Sequence, residues 1–225
     1  MADPHTTFLE SLATDDRQAL LSLGYRREWA PGSVLVRTGE GADSAIVLLA
    51  GLVKIHKMAS GGEEVLFAIA GAGDLFGEMS AIHPAVRSAS VTALTPVEGV
   101  VLPAPDLRSF FARHPATVTA LLDLALTRLY TADMQRLEFV ASDSLGRVAS
   151  RLVELAERFG EALKGGAIEV PLPLNQEELA SWSGASREST ARALRSLREL
   201  DLIRTQRRHL TVFDLERLRS HAARI

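Results

Sequence analysis

The most constraining feature of the sequence is a segment, residues 32–104, in which short runs of β-branched and aliphatic residues alternate with glycine and proline. Short strands separated by turn residues at intervals of roughly 8–12 residues are typical of an antiparallel barrel or roll. Gly61-Gly62 suits a hairpin turn because glycine accepts positive φ without strain. Residues 7–23 are expected to be helical and to pack on this roll. The predicted strands are residues 33–37, 45–49, 52–57, 65–69, 89–94 and 97–102.

A long helix is predicted after the roll. Pro115 is followed by residues 116–141, which contain neither glycine nor proline. Within them Leu122, Leu126 and Leu129 are spaced by four and then three residues, and Val140 continues the stripe. This spacing is typical of the seam between paired helices, so we expect a homodimer. Packing of the helix on its own roll is the alternative, since charged residues at positions 133 and 136 interrupt the stripe.

A hinge between two domains is predicted at residues 141–143. Asp143 directly precedes a second helical run, residues 144–159, and its carboxylate can accept a backbone N–H there as an N-cap. Because proline donates no backbone hydrogen bond, residues 168–174, which contain Pro171 and Pro173, are expected to form an edge strand or an extended linker.

The following residues have the pattern of a helix-turn-helix. Asn175, with Glu178 three residues later, predicts a capped helix start, and Gly184 marks a tight turn. Ser186 then caps a second helix over residues 187–200. A helix, a short turn containing glycine and a second helix with a charged outer face are typical of DNA-binding proteins.

The second helix and the segment after it supply further detail. The inward face of the helix is predicted to consist of Ala191, Leu194 and Leu197, which leaves its charged residues outward. Strands predicted at residues 202–205 and 209–213 enclose Arg207 and Arg208. We expect a winged hairpin with a basic tip.

The charge distribution favours a nucleic-acid contact in this half. Residues 1–145 contain 11 Lys and Arg against 17 Asp and Glu, whereas residues 146–225 contain 14 against 11. Residues 184–213 contain seven arginines against three acidic residues. Such a surface suits DNA, although an arginine-rich helix face that is merely solvated is the alternative.

The residue types match particular groups on DNA. The guanidinium fork of Arg187 or Arg192 fits the O6 and N7 acceptors of guanine, and Glu188 can accept from the amine of cytosine. The short hydrogen-bonding side chains that suit phosphates are Gln176, Ser186 and Ser189. An ordinary exposed ion pair between Glu188 and Arg192 is the alternative interpretation.

Several functional classes are excluded or disfavoured. The chain has no cysteine, which excludes disulfides, thiolate metal sites and a cysteine nucleophile. Its six histidines lack metal-ligand spacing, and there is no nucleophile elbow or P-loop, so we expect neither a metal nor catalysis. The start lacks the features of a signal peptide and the longest uncharged stretch is about ten residues, too short for a membrane helix. A cytoplasmic protein without a membrane partner is expected.

A candidate anion site lies within the predicted roll. The run Gly73–Ser80, G-D-L-F-G-E-M-S, precedes the run Arg87-Ser88-Ala89. A buried phosphodiester needs an arginine together with hydroxyl and backbone N–H donors. A ribose hydroxyl needs an acceptor, which Glu78 beside the permissive Gly77 can supply. Alternatively, Arg87 and Glu78 pair with each other and close the roll.

These two runs, followed by Ser186-Arg187-Glu188-Ser189-Thr190-Ala191-Arg192, resemble the superfamily of the cyclic-AMP receptor protein and the fumarate–nitrate regulator (CRP/FNR). The resemblance covers nearly the whole chain in order. It implies an α+β fold with an N-terminal antiparallel β-roll of the cyclic-nucleotide-binding type, a long dimerisation helix and a C-terminal winged helix-turn-helix. The implied domains are residues 1–115, 116–142 and 143–225.

The resemblance also implies roles for particular residues. Glu78 resembles the ribose-binding Glu of the family, and Arg87 and Ser88 its phosphate binders. Arg187, Glu188 and Arg192 match the readers of a TGTGA-like half-site in palindromic double-stranded DNA. The expected effector-binding residues are Gly77, Glu78, Met79, Arg87, Ser88, Ala89 and Asp133, and the expected DNA-binding residues are Gln176, Ser186, Arg187, Glu188, Ser189, Arg192, Arg207 and Arg208.

Asp133 marks a departure from the family. Members that bind cyclic AMP (cAMP) usually have Thr-Ser where this chain has Ala132 and Asp133. A carboxylate can accept from the adenine amine or, equally, from guanine, and it can instead bridge the dimer with Arg136. We therefore expect a dimeric regulator controlled by a cyclic nucleotide, cAMP rather than cGMP, with RNA polymerase as a further partner. The alternatives are a regulator independent of nucleotide and a nucleotide-sensing adaptor that contacts proteins.

Overall fold

The computed structural model describes residues 6–41, 43–79 and 86–222. It divides into two compact units, Met1–Leu129 and Tyr130–Ile225. The boundary lies within one long helix, so that helix contributes residues to both units. No helix in the described part of the chain is long and apolar enough to span a bilayer.

In the part of the chain that the structure describes, the first unit contains eight strands, with helices before and after them. The helices before the strands are α1 (Phe8–Ser11) and α2 (Thr14–Ser22). The strands are β1 (Tyr25–Trp29), β2 (Val34–Val36), β3 (Ser44–Ala50), β4 (Val53–Met58), β5 (Glu64–Ala70), β6 (Leu75–Phe76), β7 (Ser90–Ala93) and β8 (Val97–Pro103). They are followed by α3 (Ala104–Arg113) and the long helix α4 (Pro115–Ala141).

The strands form two four-stranded antiparallel sheets, in the orders β1-β8-β3-β6 and β2-β7-β4-β5. All six predicted strands are present, and the antiparallel roll is confirmed. The β4–β5 hairpin turns at Gly61 and Gly62, as predicted, with Gly62 at a φ of 87°. The helical segment predicted before the roll is present as two helices, α1 and α2.

Two buried clusters hold the roll together, and β3 contributes to both. Ile46 and Leu48 belong to the cluster between the sheets, whereas Ala45 and Val47 belong to the cluster on the opposite face. Because successive side chains of a strand point to opposite faces, a strand buried on both sides is apolar throughout. The helices cover the outer cluster with Phe8, Leu9, Leu12, Leu20, Leu107, Phe110 and Phe111.

The second unit begins within α4 and continues as a helical domain with a small sheet. Its helices are α5 (Ser144–Phe159), α6 (Gln176–Ser183), α7 (Arg187–Glu199) and α8 (Leu215–His221). Its strands, β9 (Glu161–Ala162), β10 (Ile168–Pro171), β11 (Ile203–Gln206) and β12 (His209–Val212), pair in the order β11-β12-β10-β9. As predicted, α4 ends at Ala141, and the Asp143 side chain caps α5 by accepting from the N–H of Gly146 at 2.8 Å.

The expectation of an edge strand or linker at residues 168–174 is wrong for the start of that segment. Ile168 and Glu169 pair with β9 on one side and with β12 on the other, so β10 is an inner strand there. Pro171 pairs only with His209 of β12. Since β9 has only two residues, it does not reach Pro171, and the missing N–H of the proline breaks no pairing.

Candidate effector site and nucleic-acid interface

Arg87 is the buried cation of the roll, with 6% of its surface exposed. Its guanidinium donates to two backbone carbonyls, at 3.1 Å to Gly77 and 2.6 Å to Ser44. Burial lowers the pKa of Arg87, and the carboxylates of Asp43, Glu78 and Glu40 oppose that shift. The nearest ion-pair contact, with Asp43, is 4.0 Å long, and the Asp43 side chain is almost fully exposed. Neutral acceptors therefore satisfy a cation that lies inside the protein.

Gly77 lies directly against this cation. Its φ is +80°, a conformation that residues with a side chain rarely adopt. A Cβ at this position would lie 2.3 Å from Nη1 of Arg87. The glycine is thus required both by the backbone conformation and by the close approach of the guanidinium.

Glu78 is buried next to Gly77 and has its own cationic partner. Its carboxylate accepts from Arg128 of α4 at 2.7 Å, and the same guanidinium donates to the carbonyl of Leu75 at 2.5 Å. The alternative that Arg87 and Glu78 simply pair with each other is therefore wrong. Sequence reasoning missed Arg128, because nothing in a helical stripe identifies a partner 50 positions away.

The other predicted effector residues are less enclosed. Met79 is 70% exposed, Ser88 is exposed and Ala89 is half-buried. Asp133, in the second unit, accepts from Arg136 at 3.0 Å in an exposed pair within α4. Ser80, the last residue of the first motif, lies outside the described residues. The structure thus brings Gly77, Glu78 and Arg87 together, and the role of Asp133 stays a prediction.

The predicted helix-turn-helix is formed by α6, a turn and α7. Asn175 and Glu178 exchange side-chain and backbone hydrogen bonds, each of 2.9 Å, in the predicted capping box. Gly184 ends α6 in the left-handed conformation, with φ 59° and ψ 36°. Ser186 caps α7 by accepting from the N–H of Ser189 at 3.1 Å.

One detail of the predicted inward face of α7 is wrong. Ala191 is only half-buried, whereas the buried residues of this helix are Thr190, Ala193, Leu194 and Leu197. These four positions follow the spacing of a helix face, i, i+3, i+4 and i+7, and Ala191 lies at the edge of that face.

The predicted base readers are exposed on α7. Arg187, Glu188 and Arg192 are exposed, and Arg192 donates to the hydroxyl of Ser189 at 3.0 Å. Within the described part of the chain, no ion pair joins Glu188 to Arg192, so the ordinary i,i+4 pair proposed as the alternative is not formed. Gln176 and Ser186 are also exposed, and Ser189 is half-buried.

The predicted wing is present as the β11–β12 hairpin. Gln206 pairs with His209, which places Arg207 and Arg208 at the exposed tip. Arg208 has a φ of 64°, the left-handed region, so its backbone is strained. The carbonyl of Arg208 accepts from the N–H of Leu172 at 2.9 Å, which ties the tip to the segment after β10.

Among the residues that the structure describes, no group of three or more His, Cys, Asp or Glu side chains is arranged to hold a metal ion. Two other arrangements in the described residues carry functional chemistry: the buried residues Glu78 and Arg87, and the exposed arginines of α7 and the wing.

A β-roll followed by a winged helix-turn-helix defines a class, the two-domain DNA-binding transcription regulators. The model of the cyclic nucleotide-binding domain matches residues 26–114, and that of the Crp-like helix-turn-helix domain matches residues 146–221. The CRP-like cAMP-activated global transcriptional regulator of Mycobacterium tuberculosis is 36% identical over 191 residues, which is 85% of each chain. The chain belongs to the CRP/FNR superfamily of transcription regulators, and membership in it makes the chain a regulator rather than an enzyme.

Two further proteins show how far the similarity extends. The cyclic AMP receptor protein of Thermus thermophilus is 28% identical over 193 residues, 86% of each chain. The structure of FixK2 from Bradyrhizobium japonicum has a TM-score of 0.78 and covers 90% of this chain and 98% of its own, at 19% identity. At that identity the second similarity shows the fold alone.

Proposed function

We propose that the chain is a homodimeric, sequence-specific transcription regulator whose DNA affinity is controlled by a cyclic nucleotide, most simply cAMP, bound in the roll. The observation that carries the proposal is the buried guanidinium of Arg87, whose hydrogen bonds within the described residues go to neutral acceptors, the carbonyls of Gly77 and Ser44. A phosphodiester carries one negative charge and two free oxygens, and an arginine fork can bind both oxygens. An anion beside Arg87 would also offset the cost of burying its charge.

Glu78 supports a nucleotide rather than a free phosphate. A carboxylate next to an anion site repels an isolated phosphate, but it accepts a hydrogen bond from a ribose hydroxyl. Arg128, which already holds Glu78, adds a second cation.

Two observations bear on the identity of the base. A carboxylate at position 133 can accept from the amine of adenine or from the N1 and N2 donors of guanine. The names of the M. tuberculosis and T. thermophilus relatives refer to cAMP. We therefore propose cAMP ahead of cGMP, with Ser88, Ala89 and Met79 as further contacts.

The exposed stripe of α4 supports a dimer. Leu122, Leu126 and Leu129 are 57%, 52% and 57% exposed, and Val140 is 86% exposed. The other face of the same helix packs on the roll through Ala120, Leu121 and Leu124. Burying the stripe against the same stripe of a second copy would remove these apolar side chains from water, in the manner of a two-stranded coiled coil.

A dimer carries two copies of α7, and we propose that these read a palindrome with TGTGA-like half-sites. Two recognition helices spaced by one turn of DNA, roughly 34 Å, reach successive major grooves. Arg187, Glu188 and Arg192 would contact base edges. The phosphate contacts are assigned to Gln176, Ser186, Ser189, Arg207 and Arg208.

We propose that the effector acts through the long helix, which runs from the first unit into the second, and through residues 141–143. The proposed domains are the effector domain, residues 1–115, the dimerisation helix and hinge, residues 116–142, and the DNA-binding domain, residues 143–225. A cytoplasmic location and contact with RNA polymerase complete the proposal.

The decisive experiment measures nucleotide binding by calorimetry and then DNA binding by fluorescence anisotropy. The probes are cAMP, cGMP, a duplex with two TGTGA-like half-sites and a scrambled duplex, all at one salt concentration. We expect cAMP to bind and to tighten binding to the palindrome selectively. Arg87→Gln should weaken nucleotide binding by roughly 10–100-fold, whereas the exposed control Arg26→Gln should not.

One observation favours a second candidate, a regulator independent of nucleotide. Glu78 already has a full charged partner in Arg128, so the site is electrostatically satisfied at that carboxylate without a ribose. DNA affinity that stays constant up to saturating cAMP and cGMP would select this candidate. If the chain binds a nucleotide but no DNA, and if Arg192→Ala leaves its regulatory activity unchanged, the protein adaptor would be selected instead.

A further inference from the structure

Arg147, in the first turn of α5, contacts the turn of the helix-turn-helix with its whole guanidinium. Nε donates to the carbonyl of Ser183 at 2.9 Å and Nη2 to that of Gly184 at 3.1 Å. Nη1 donates to the carbonyl of Ser142, between α4 and α5. The first two acceptors are the last carbonyl of α6 and its cap, where a cation is favoured by the helix dipole.

The same guanidinium lies over an aromatic ring at the end of α4. The Cζ atom of Arg147 is 5.3 Å from the centroid of Phe139. The ring also lies against the turn itself, since a Cβ placed on Gly184 would lie 3.0 Å from Cδ2 of Phe139. Phe139, Arg147 and Gly184 thus form one stack.

A second arginine, one helical turn further along α5, joins the same elements. Arg151 is 4% exposed and pairs with Glu138 of α4 and, at 2.9 Å, with Glu154. Its Cζ lies 5.6 Å from the ring centroid of Trp182 in α6. Two successive turns of α5 therefore connect the last turn of α4 with the end of α6.

We infer that Phe139 and Arg147 form a clasp that holds the turn between α6 and α7 against the last turn of the long helix, so that Arg147 is a positioning residue for the recognition helix. Neither residue is assigned a DNA contact. Because Gly184 is followed after one residue by the Ser186 cap of α7, a displaced turn shifts the start of the helix that presents Arg187 and Glu188. Through the clasp, a change in the conformation of the hinge at residues 141–143 alters the position of the base readers.

The test compares Arg147→Lys with a matched control, Arg158→Lys. Arg158 is also on α5 and also lies over an aromatic ring, 4.8 Å from the centroid of Phe159. Lysine keeps the charge but has no planar fork with which to reach two carbonyls at once. The first readout needs no DNA: we expect amide hydrogen exchange in residues 180–186 to be about tenfold faster in Arg147→Lys, with the control unchanged.

The second readout is DNA binding, and it alone rests on the proposed reading of DNA by α7. At a temperature where circular dichroism shows every variant fully folded, Arg147→Lys should bind the palindrome about tenfold more weakly than the wild type. The salt dependence of DNA binding by Arg147→Lys should equal that of the wild type, because no phosphate contact is lost. Phe139→Leu added to Arg147→Lys should weaken binding little further, since both changes open one clasp.

Each outcome decides the inference. The clasp would be overturned if residues 180–186 of Arg147→Lys exchanged their amide hydrogens at wild-type rates. It would also be overturned if the losses of DNA affinity caused by Arg147→Lys and Phe139→Leu added fully in the double variant. A reduced salt dependence would make Arg147 a direct phosphate contact and would overturn its positioning role. If the wild type itself binds no DNA, the proposed function fails, and the exchange measurement still decides whether the clasp exists.

Discussion

The guanidinium of Arg128 on the long helix donates a hydrogen bond of 2.7 Å to the carboxylate of Glu78, the residue proposed to accept from a ribose. The helix thus supplies a cation directly to the proposed effector site of its own unit. A nucleotide bound there as proposed would either share this carboxylate with Arg128 or displace the arginine from it. In both cases a side chain of the long helix would respond to the ligand, which would give the helix a direct way to sense occupancy.

Arg128→Met is expected to lower the free energy of unfolding by about 1–3 kcal/mol, because the buried carboxylate of Glu78 loses its donor. Saturating cAMP should then stabilise the variant more than the wild type, since a ribose hydroxyl replaces that donor. Thermal and urea unfolding with and without nucleotide measure both effects. Arg26→Met is the control, because its pair with Glu98 is exposed and such pairs contribute ~0–1 kcal/mol. If the free energy of unfolding fell equally in Arg128→Met and Arg26→Met, the proposed coupling between Arg128 and Glu78 would be contradicted.

Gly77→Ala is expected to abolish nucleotide binding and to lower the free energy of unfolding by about 1–3 kcal/mol, since the Cβ collides with Arg87 in addition to the backbone strain. The matched control is Gly62→Ala. Gly62 has a φ of +87°, but no atom lies within 4 Å of the position that a Cβ would take there, so it tests backbone strain alone. Calorimetry should show nucleotide binding retained in the control. Loss of nucleotide binding in both variants, or in neither, would refute the role assigned to the contact between position 77 and Arg87.

Leu126→Lys is expected to convert the proposed dimer into monomers, because it places a charge in the middle of the apolar stripe of α4. The fold of each chain should persist, since this side chain is already 52% exposed in a single copy. Sedimentation velocity measures the association state and circular dichroism the fold. Thr131→Lys, which lies about 140° around the same helix from Leu126, should remain dimeric. A wild type that sediments as a monomer would remove the basis of the proposed palindrome.

Arg208→Gly is expected to have two opposite effects. Glycine relieves the strain of a φ of 64°, so the free energy of unfolding should rise by roughly 0.5–1 kcal/mol. DNA binding should weaken, and the slope of log K against log salt should fall by about 1, because one phosphate contact is lost. Arg207→Gly should reduce the slope equally but lower the stability, since its φ is not in the left-handed region. An unchanged slope in both variants would exclude the wing from the DNA interface.

The sequence predicted the order of the elements well where local chemistry determines it. Asp143, Asn175 and Ser186 all cap the helices expected of them. The strand β1 was missed, because four of its five residues are exposed and no apolar alternation marks it. The strand β6 was missed because it has only two residues.

The site was predictable only in part. Gly77, Glu78 and Arg87 could be identified because short motifs contain them. The partner of Glu78 could not, since Arg128 lies on a different element and its approach depends on how α4 packs on the roll. Likewise, no local pattern marks Arg147 as a donor to carbonyls near residue 184, and the pairing of β10 depends on a two-residue strand without a signal of its own.

The contact between Phe139 and Gly184 has a consequence for how related sequences diverge. A Cβ at position 184 would lie 3.0 Å from Cδ2 of Phe139, so the ring must shift by a few tenths of an ångström to admit a side chain there. A smaller residue at position 139 would therefore make room for the replacement of this glycine by asparagine, which tolerates the left-handed backbone. The two positions are expected to covary across homologues, although they are 45 positions apart in the chain.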